Sequence, residues 1–441
     1  YRGGIMIVMS KKEPKFETLT LDKIVGGGQA LGTLADGRKT FVWGGLPDEE
    51  VTIRLTKKKS KFIEGVVTDI HAKSPERIEP LDSASYLSTS PWQIMTFDAE
   101  QHYKAALIEE AFELHNIVLP APIEVYTDNK TSRYRNKVEF SWFGDTVDGV
   151  DTLDLAFFTR GGMGKIPVDS CSLLPKPMMD LAIAMRDLLR TKDVTARNLK
   201  TLLIRCDQSG NCVWQLYVKD KLPDIITKTE AKALPAQGGE AIYSDPRSPA
   251  SRITERLVTF GDIVLSDTVL GVPFRYATEG FFQVNIPVYE QALRDMREWI
   301  DKEKVIDLYS GVGSIGLTIG GDDVTLVEIN EHAVREMREN ISRLGKNATA
   351  VLAPSEKALD YIASDATVIV DPPRAGMHTD VIAKLLETLP NRIIYLSCNP
   401  VTQARDVALL SASYGIRAHE GYNFFPRTPH IEHLVILDKK A

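Results

Sequence analysis

From about residue 280 the chain alternates strictly between strand-like and helix-like patterns. VIDLY, VTLVEI, TAVLA, TVIVD, RIIYLSC and HIEHLVILD are apolar strand candidates, separated by helical stretches of about 8–15 residues. That grammar predicts an α/β fold, a doubly wound, Rossmann-like parallel sheet with helices on both faces. The last connection differs, because YGIRAHEGYNFFP enters HIEHLVILD with no helix between them. The sheet is therefore expected to end in an antiparallel hairpin. In such sheets ligands bind beyond the carboxyl ends of the strands, so chemistry should collect in the loops that follow them.

The upstream segments read differently. Residues 14–72 (TLTLDKI, KTFVWGG, EVTIRLT, FIEGVVTDI) alternate apolar and polar positions between turn-rich stretches, as in a small OB-like barrel of about five strands. Lys57, Lys58, Lys59 and Lys61 fall on one of its loops. Composition gives equal weight to a phosphate-tracking loop and a solvated turn. Residues 98–116 form an amphipathic helix with Asp98 available as its cap. Strand-like runs from about 120 to 275, including VLGVPFRY, together with the helical MMDLAIAMRDLLRT, predict a central α+β unit. The expected domains are 14–72, 73–280 and 281–441.

With 441 residues there is ample chain for several cores. No apolar run approaches the ~18 residues of a membrane span, and the first ten residues lack a secretory apolar region. Met6 or Met9 is the expected native start. The four cysteines, Cys171, Cys206, Cys212 and Cys398, show no CxxC spacing, which argues against a disulfide scaffold or a zinc site. A reduced, cytoplasmic, monomeric protein is expected, with no resident metal and no membrane partner. The net charge of −7 argues weakly against nucleic acid, but the first 70 residues carry a basic excess centred on the lysine run.

Asp307-Leu308-Tyr309-Ser310-Gly311-Val312-Gly313-Ser314-Ile315-Gly316 places G-x-G-x-x-G after a strand and before a helix. Glycines there admit a nucleoside close to the backbone, and Glu328 ends the next strand where a carboxylate takes ribose hydroxyls. A pyrophosphate would be repelled by Asp307, whereas the sulfonium and ammonium of S-adenosylmethionine would be favoured. The sign of the charge points to the methyl donor. A glycine turn with no cofactor remains the rival reading.

Asp371-Pro372-Pro373-Arg374 follows the fourth strand, with Arg374 where amino-nitrogen methyltransferases place an aromatic. Cys398, in Ser397-Cys398-Asn399-Pro400, ends the fifth strand before a helix opened by Pro400. A helix N-terminus favours thiolate. A thiolate added to carbon 6 of uracil makes carbon 5 nucleophilic, and a base must then remove the hydrogen on carbon 5. Glu432, in His430-Ile431-Glu432-His433, supplies a carboxylate for that step. His430 and His433 point to opposite faces of a strand, which disfavours a shared metal.

DLYSGVGSIGL, VDPPRAGM, YLSCNP, FFPRTPHIE and Phe281-Phe282-Gln283-Val284-Asn285 together resemble the ordered motifs of RNA (uracil-5-)methyltransferases, and the barrel resembles a TRAM domain. The resemblance implies Cys398 as nucleophile and Glu432 as proton acceptor. It implies Gln283, Tyr309, Glu328 and Asp371 as contacts to S-adenosylmethionine, beside Gly311 and Gly313 of the turn. It also implies that the helix near 98–116 packs on the catalytic domain. The TRAM-bearing branch acts mostly on 23S ribosomal RNA, some relatives on transfer RNA, so an RNA substrate is expected with ribosomal RNA favoured. Arg133, Arg135 and Lys137 are candidate phosphate contacts, weighed evenly against a solvated strand face. Many relatives hold an iron–sulfur cluster on four cysteines. Here Leu81 to Met95 has none and Cys171 stands alone, so no iron–sulfur cluster is expected. The rivals are an RNA cytosine-5 methyltransferase, disfavoured by the lack of a second catalytic cysteine, a nicotinamide-dependent oxidoreductase, and a non-catalytic RNA-binding protein.

Overall fold

The structure is a computed structural model that describes residues 14–147, 150–162, 164–300 and 304–440. Met6 and Met9, the expected start, lie outside the described residues. Among the described residues no helix is long and apolar enough to cross a membrane.

Strands Phe16–Ile24, Ala30–Thr33, Lys39–Trp43, Glu50–Lys58 and Phe62–Ala72 close into a barrel, the first pairing with the fourth to complete it. Their alternating residues Leu19, Leu21, Val51, Ile53 and Ile63 fill its interior, as the period-two pattern requires. Of the lysine run expected on a loop, Lys57 and Lys58 instead end the fourth strand, paired with Glu64 and Ile63, and only Lys59 and Lys61 fall in the turn before the fifth. All four are exposed, and Lys57 donates to Glu64 at 2.8 Å.

The central unit is built on a sheet of seven strands, from Lys165–Pro167 at one edge to Glu255–Gly261 at the other, covered by helix Lys176–Arg190. VLGVPFRY, expected as one strand, is instead the turn and second half of a hairpin, Val264–Val269 with Val272–Ala277. Leu270 and Gly271 both have positive φ (47° and 82°), which reverses the chain in two residues. The hairpin, through Phe274 and Tyr276, shares its buried cluster with Phe282 and with Val305, Leu326 and Ile369 from the strands downstream.

The third sheet runs in the order Ala348–Leu352, Val324–Glu328, Lys304–Leu308, Ala366–Val370, Arg392–Ser397, Glu432–Lys439, Tyr414–Tyr422, Val125–Tyr126. Its first five strands are parallel; Glu432–Lys439 lies antiparallel between Arg392–Ser397 and Tyr414–Tyr422. The expected terminal hairpin is present, and its outer strand is extended by two residues from far upstream, Val125–Tyr126. Helix Phe97–Glu113 packs on helix Pro400–Leu410 of this sheet. Its cap is Thr96, whose hydroxyl accepts the Ala99 N–H, and not Asp98, which sits in the first turn beside the positive end of the helix dipole.

The cysteine-free segment 81–95 is tied to the loop of Cys171 by hydrogen bonds. Buried Asp82 accepts the Ser172 N–H (2.9 Å), the Ser172 hydroxyl (2.6 Å) and the Gln93 amide (2.9 Å). Trp92 from the same segment donates its indole N–H to the barrel at Gly28 O (3.0 Å).

Candidate active site

A cavity of about 1180 Å³ opens at the carboxyl ends of the parallel strands. Gln283, Tyr309, Gly311, Glu328, Asp371, Cys398 and Glu432 all line it. The arrangement follows from topology, since parallel strands deliver every following loop to the same edge.

The glycine turn makes one wall. Tyr309 and Gly311 have positive φ (63° and 58°), so the chain leaves the strand sharply and its N–H groups turn toward Glu328. Glu328 accepts Gly311 N–H at 3.0 Å and Asn330 N–H at 2.7 Å, which fixes the carboxylate at the cavity wall. A side chain on Gly311 would meet nothing within 4 Å, whereas a Cβ on Gly316 would come closer than 3.0 Å to both Leu326 and Asp307. Gly313 lies behind the wall, against Leu317 and Met337, and shapes the turn without lining the cavity.

Asp307 does not face the cavity. It is fully buried, accepts the Gly316 N–H at 2.9 Å, and burial raises its carboxyl to about 8. Asp307 is thus not placed to face a cationic cofactor as expected, whereas Glu328 and Asp371 do line the space.

Cys398 and Glu432 meet across two strands. Leu396 pairs with Leu434 and Ser397 with His433; Cys398 and Glu432 are the next residues beyond that last pair, both line the cavity, and Glu432 is near enough to act on the Cys398 thiol. Asn399 caps the helix that follows, accepting from Val401 N–H, and Pro400 occupies its first turn. The Asn399 amide also donates to Arg374 O at 2.8 Å, which ties this loop to the Asp371–Arg374 loop.

The charge environment reverses one expectation. The helix N-terminus was expected to favour thiolate at Cys398, but burial and the neighbouring Glu432 and Asp371 push the thiol up to about 11, against the opposing pull of Arg374. Asp371 is raised to about 7 by burial, and Glu432 is raised by burial and by Asp371, again opposed by Arg374. Low dielectric and clustered carboxylates outweigh a helix terminus here. Arg374 lies at 3.0 Å from His430 Nδ1. His430 lines the cavity while His433 is fully buried against Gln403 (2.7 Å), so the two imidazoles serve different surroundings.

The wall bearing Gln283 is held by two side chains that sequence reasoning passed over. Buried Arg205 donates to Gly280 O (2.5 Å) and Phe282 O (2.8 Å), and buried Asn136 donates to Gln283 O (2.9 Å). The available signal for Arg205 was an arginine inside the apolar strand TLLIRC. Of the candidate phosphate contacts, Arg133 is exposed, Arg135 and Lys137 are half-buried, and none of the three lines the cavity.

Residues 355–440 match the family model described as tRNA (Uracil-5-)-methyltransferase. Similar curated proteins include an uncharacterized RNA methyltransferase of Nitratidesulfovibrio vulgaris, 27% identical across 96% of this chain and 96% of its own. Another, of Lactiplantibacillus plantarum, is 29% identical across 93% and 95%. Among solved structures, the Pyrococcus abyssi tRNA (uracil-54, C5)-methyltransferase in complex with S-adenosyl-L-homocysteine superposes with a TM-score of 0.77 at 22% identity, covering 95% of this chain and 100% of that one, which is a likeness of fold. The matched segment carries Asp371, Cys398 and Glu432, and the likeness to curated RNA methyltransferases extends over nearly the whole chain.

Proposed function

We propose that this protein methylates carbon 5 of a uridine in RNA, using S-adenosylmethionine and a transient bond between Cys398 and carbon 6 of the base. The observation that carries the reading is that Cys398 and Glu432, each one residue beyond the Ser397–His433 pair, line one cavity together with Gly311 of the glycine turn.

The wall residues fit the cofactor. Gly311 leaves open space above the turn, Glu328 is fixed where a ribose would lie, and Asp371 adds negative charge. Glu328, Asp371, Gln283 and Tyr309 would hold the cofactor, which supplies an electrophilic methyl group when bound. The rest is the work of this chain. The Cys398 sulfur adds to carbon 6, and the electron pair of the carbon 5–carbon 6 bond becomes available at carbon 5. After carbon 5 is methylated, Glu432 takes its remaining proton; the electron pair re-forms the double bond, and the carbon–sulfur pair returns to Cys398. Glu432 is shielded from water at 5% exposure, and its raised basicity suits removal of a carbon-bound proton.

The barrel and the central sheet serve as the RNA grip in this reading, with the target uridine flipped from its stack into the cavity. Exposed Lys58, Lys59 and Lys61 and exposed Arg133 support it. Ribosomal RNA is the substrate we assign, on the resemblance of the barrel-bearing branch; transfer RNA is the second reading, favoured by the description of the matched family model. Unmodified ribosomal and transfer RNA, each incubated with labelled S-adenosylmethionine and digested to nucleosides, separate the two. Labelled 5-methyluridine from ribosomal RNA is expected. Labelled 5-methylcytidine, or product that persists in Cys398→Ala, overturns the assignment.

A further inference from the structure

The loop Asn423–Thr428 leads directly into Glu432, and its backbone is held from outside by several distant parts of the chain. Lys104 donates to Phe425 O at 3.2 Å, Tyr134 to Pro426 O at 3.0 Å, and the Trp92 N–H to Arg427 O at 3.1 Å. Three successive carbonyls are thus each taken by a donor from a different element. Pro429 then packs where any side chain on Gly28 of the barrel would overlap it.

At the centre lies a fully buried ion pair, Lys104 with Glu100 at 3.0 Å, one turn apart on helix Phe97–Glu113. The ammonium has three N–H groups, and Glu100, Asn423 Oδ1 and Phe425 O accept from it. Glu100 also accepts the Asn423 amide (2.8 Å) and, with both oxygens, the Arg427 N–H (3.0 Å). Arg427 stands at φ 66°, a left-handed conformation that a non-glycine residue keeps only where its surroundings impose it. A buried pair of charges is a poor source of stability compared with apolar side chains of the same volume. Here it fixes the path of a strained loop.

We propose that Glu100 and Lys104 are positioning residues for Glu432: from a helix outside the catalytic segment they clamp the Asn423–Thr428 loop and so aim the carboxylate that takes the proton from carbon 5. The inference rests on the reading of Glu432 as that base. A loosened clamp slows the last step, in which the carbon 5–hydrogen pair forms the double bond and the carbon 6–sulfur pair leaves with Cys398. Adduct formation draws on Cys398, which the clamp does not touch.

The test uses the full chain with unmodified RNA and S-adenosylmethionine, comparing wild type, Glu432→Gln and the double variant Glu100→Gln/Lys104→Met, which removes both charges together. Turnover in the double variant is expected to fall by about tenfold to a hundredfold, while a covalent protein–RNA band accumulates on a denaturing gel, as it does for Glu432→Gln. A general loss of structure would lower turnover and adduct in parallel. If Glu432→Gln traps RNA and the double variant does not, the clamp proposal is overturned. If Glu432→Gln itself traps nothing, the assignment of the base fails instead, and the clamp proposal with it. Should the double variant not fold, Asn423→Ala and Tyr134→Phe loosen the same loop with smaller changes. Adduct build-up in both supports the proposal, and its absence in both overturns it.

Discussion

Cys398 and Glu432 each stand one residue beyond the Ser397–His433 pair that ends the antiparallel register, and both line the same cavity. There the Glu432 carboxylate raises the proton affinity of the Cys398 thiol, and burial and Asp371 raise that of Glu432.

Removing the sulfur should end the reaction. Cys398→Ala is expected to lower methyl transfer by about a thousandfold or more. Wild type should also trap RNA carrying 5-fluorouridine, since fluorine cannot leave as a proton, and Cys398→Ala should not. The check is a denaturing gel with labelled RNA; a shifted band in the variant contradicts the nucleophile.

Arg374 is the cation that draws the Cys398 and Glu432 pKa values downward. With the thiol at about 11, its reactive anion is a minor species at neutral pH and becomes more abundant as pH rises. Adduct formation should thus rise with pH between 7 and 9, by up to about tenfold per unit. Arg374→Met pushes the thiol further up, so trapping of 5-fluorouridine RNA at pH 8 should slow by about threefold to tenfold and partly recover at higher pH. Single-turnover trapping rates across pH measure both effects.

Asp371, at about 7, lies in the cavity proposed to receive the cofactor. Lowering the pH protonates it and removes a negative charge that, in that proposal, favours the sulfonium. Affinity for S-adenosylmethionine relative to its uncharged-sulfur product should fall by about tenfold per pH unit at most as pH drops below 7. Above that range the ratio should level off. Asp371→Asn should abolish the dependence, as read by calorimetric titration of both compounds.

Two glycines of one turn should respond differently to alanine. Gly316→Ala forces a Cβ into Leu326 and Asp307 and should destabilise the fold by about 1–3 kcal/mol. Gly311→Ala meets open space and bears only the left-handed backbone, about 1–2 kcal/mol, but it should weaken cofactor binding. Denaturant unfolding and a cofactor titration on each variant distinguish the two roles.

Much of this molecule is written locally. Period-two alternation yields the barrel, apolar strands separated by helices yield the parallel sheet, and the sequence around Gly311 and Gly316 yields the turn, because each depends on residues within a few positions of one another. The break in VLGVPFRY was missed because Leu270 takes a left-handed conformation that a leucine seldom adopts.

Tertiary structure decided the rest. That Val125–Tyr126 completes the catalytic sheet, and that Lys104 reaches Phe425 across more than three hundred residues, depends on pairings no short window contains. The balance of forces on the Cys398 thiol is set in the same way. The helix N-terminus behind it is visible in SCNP, but the burial and the two carboxylates that overrule it arise only when three strands and their loops share one enclosed space.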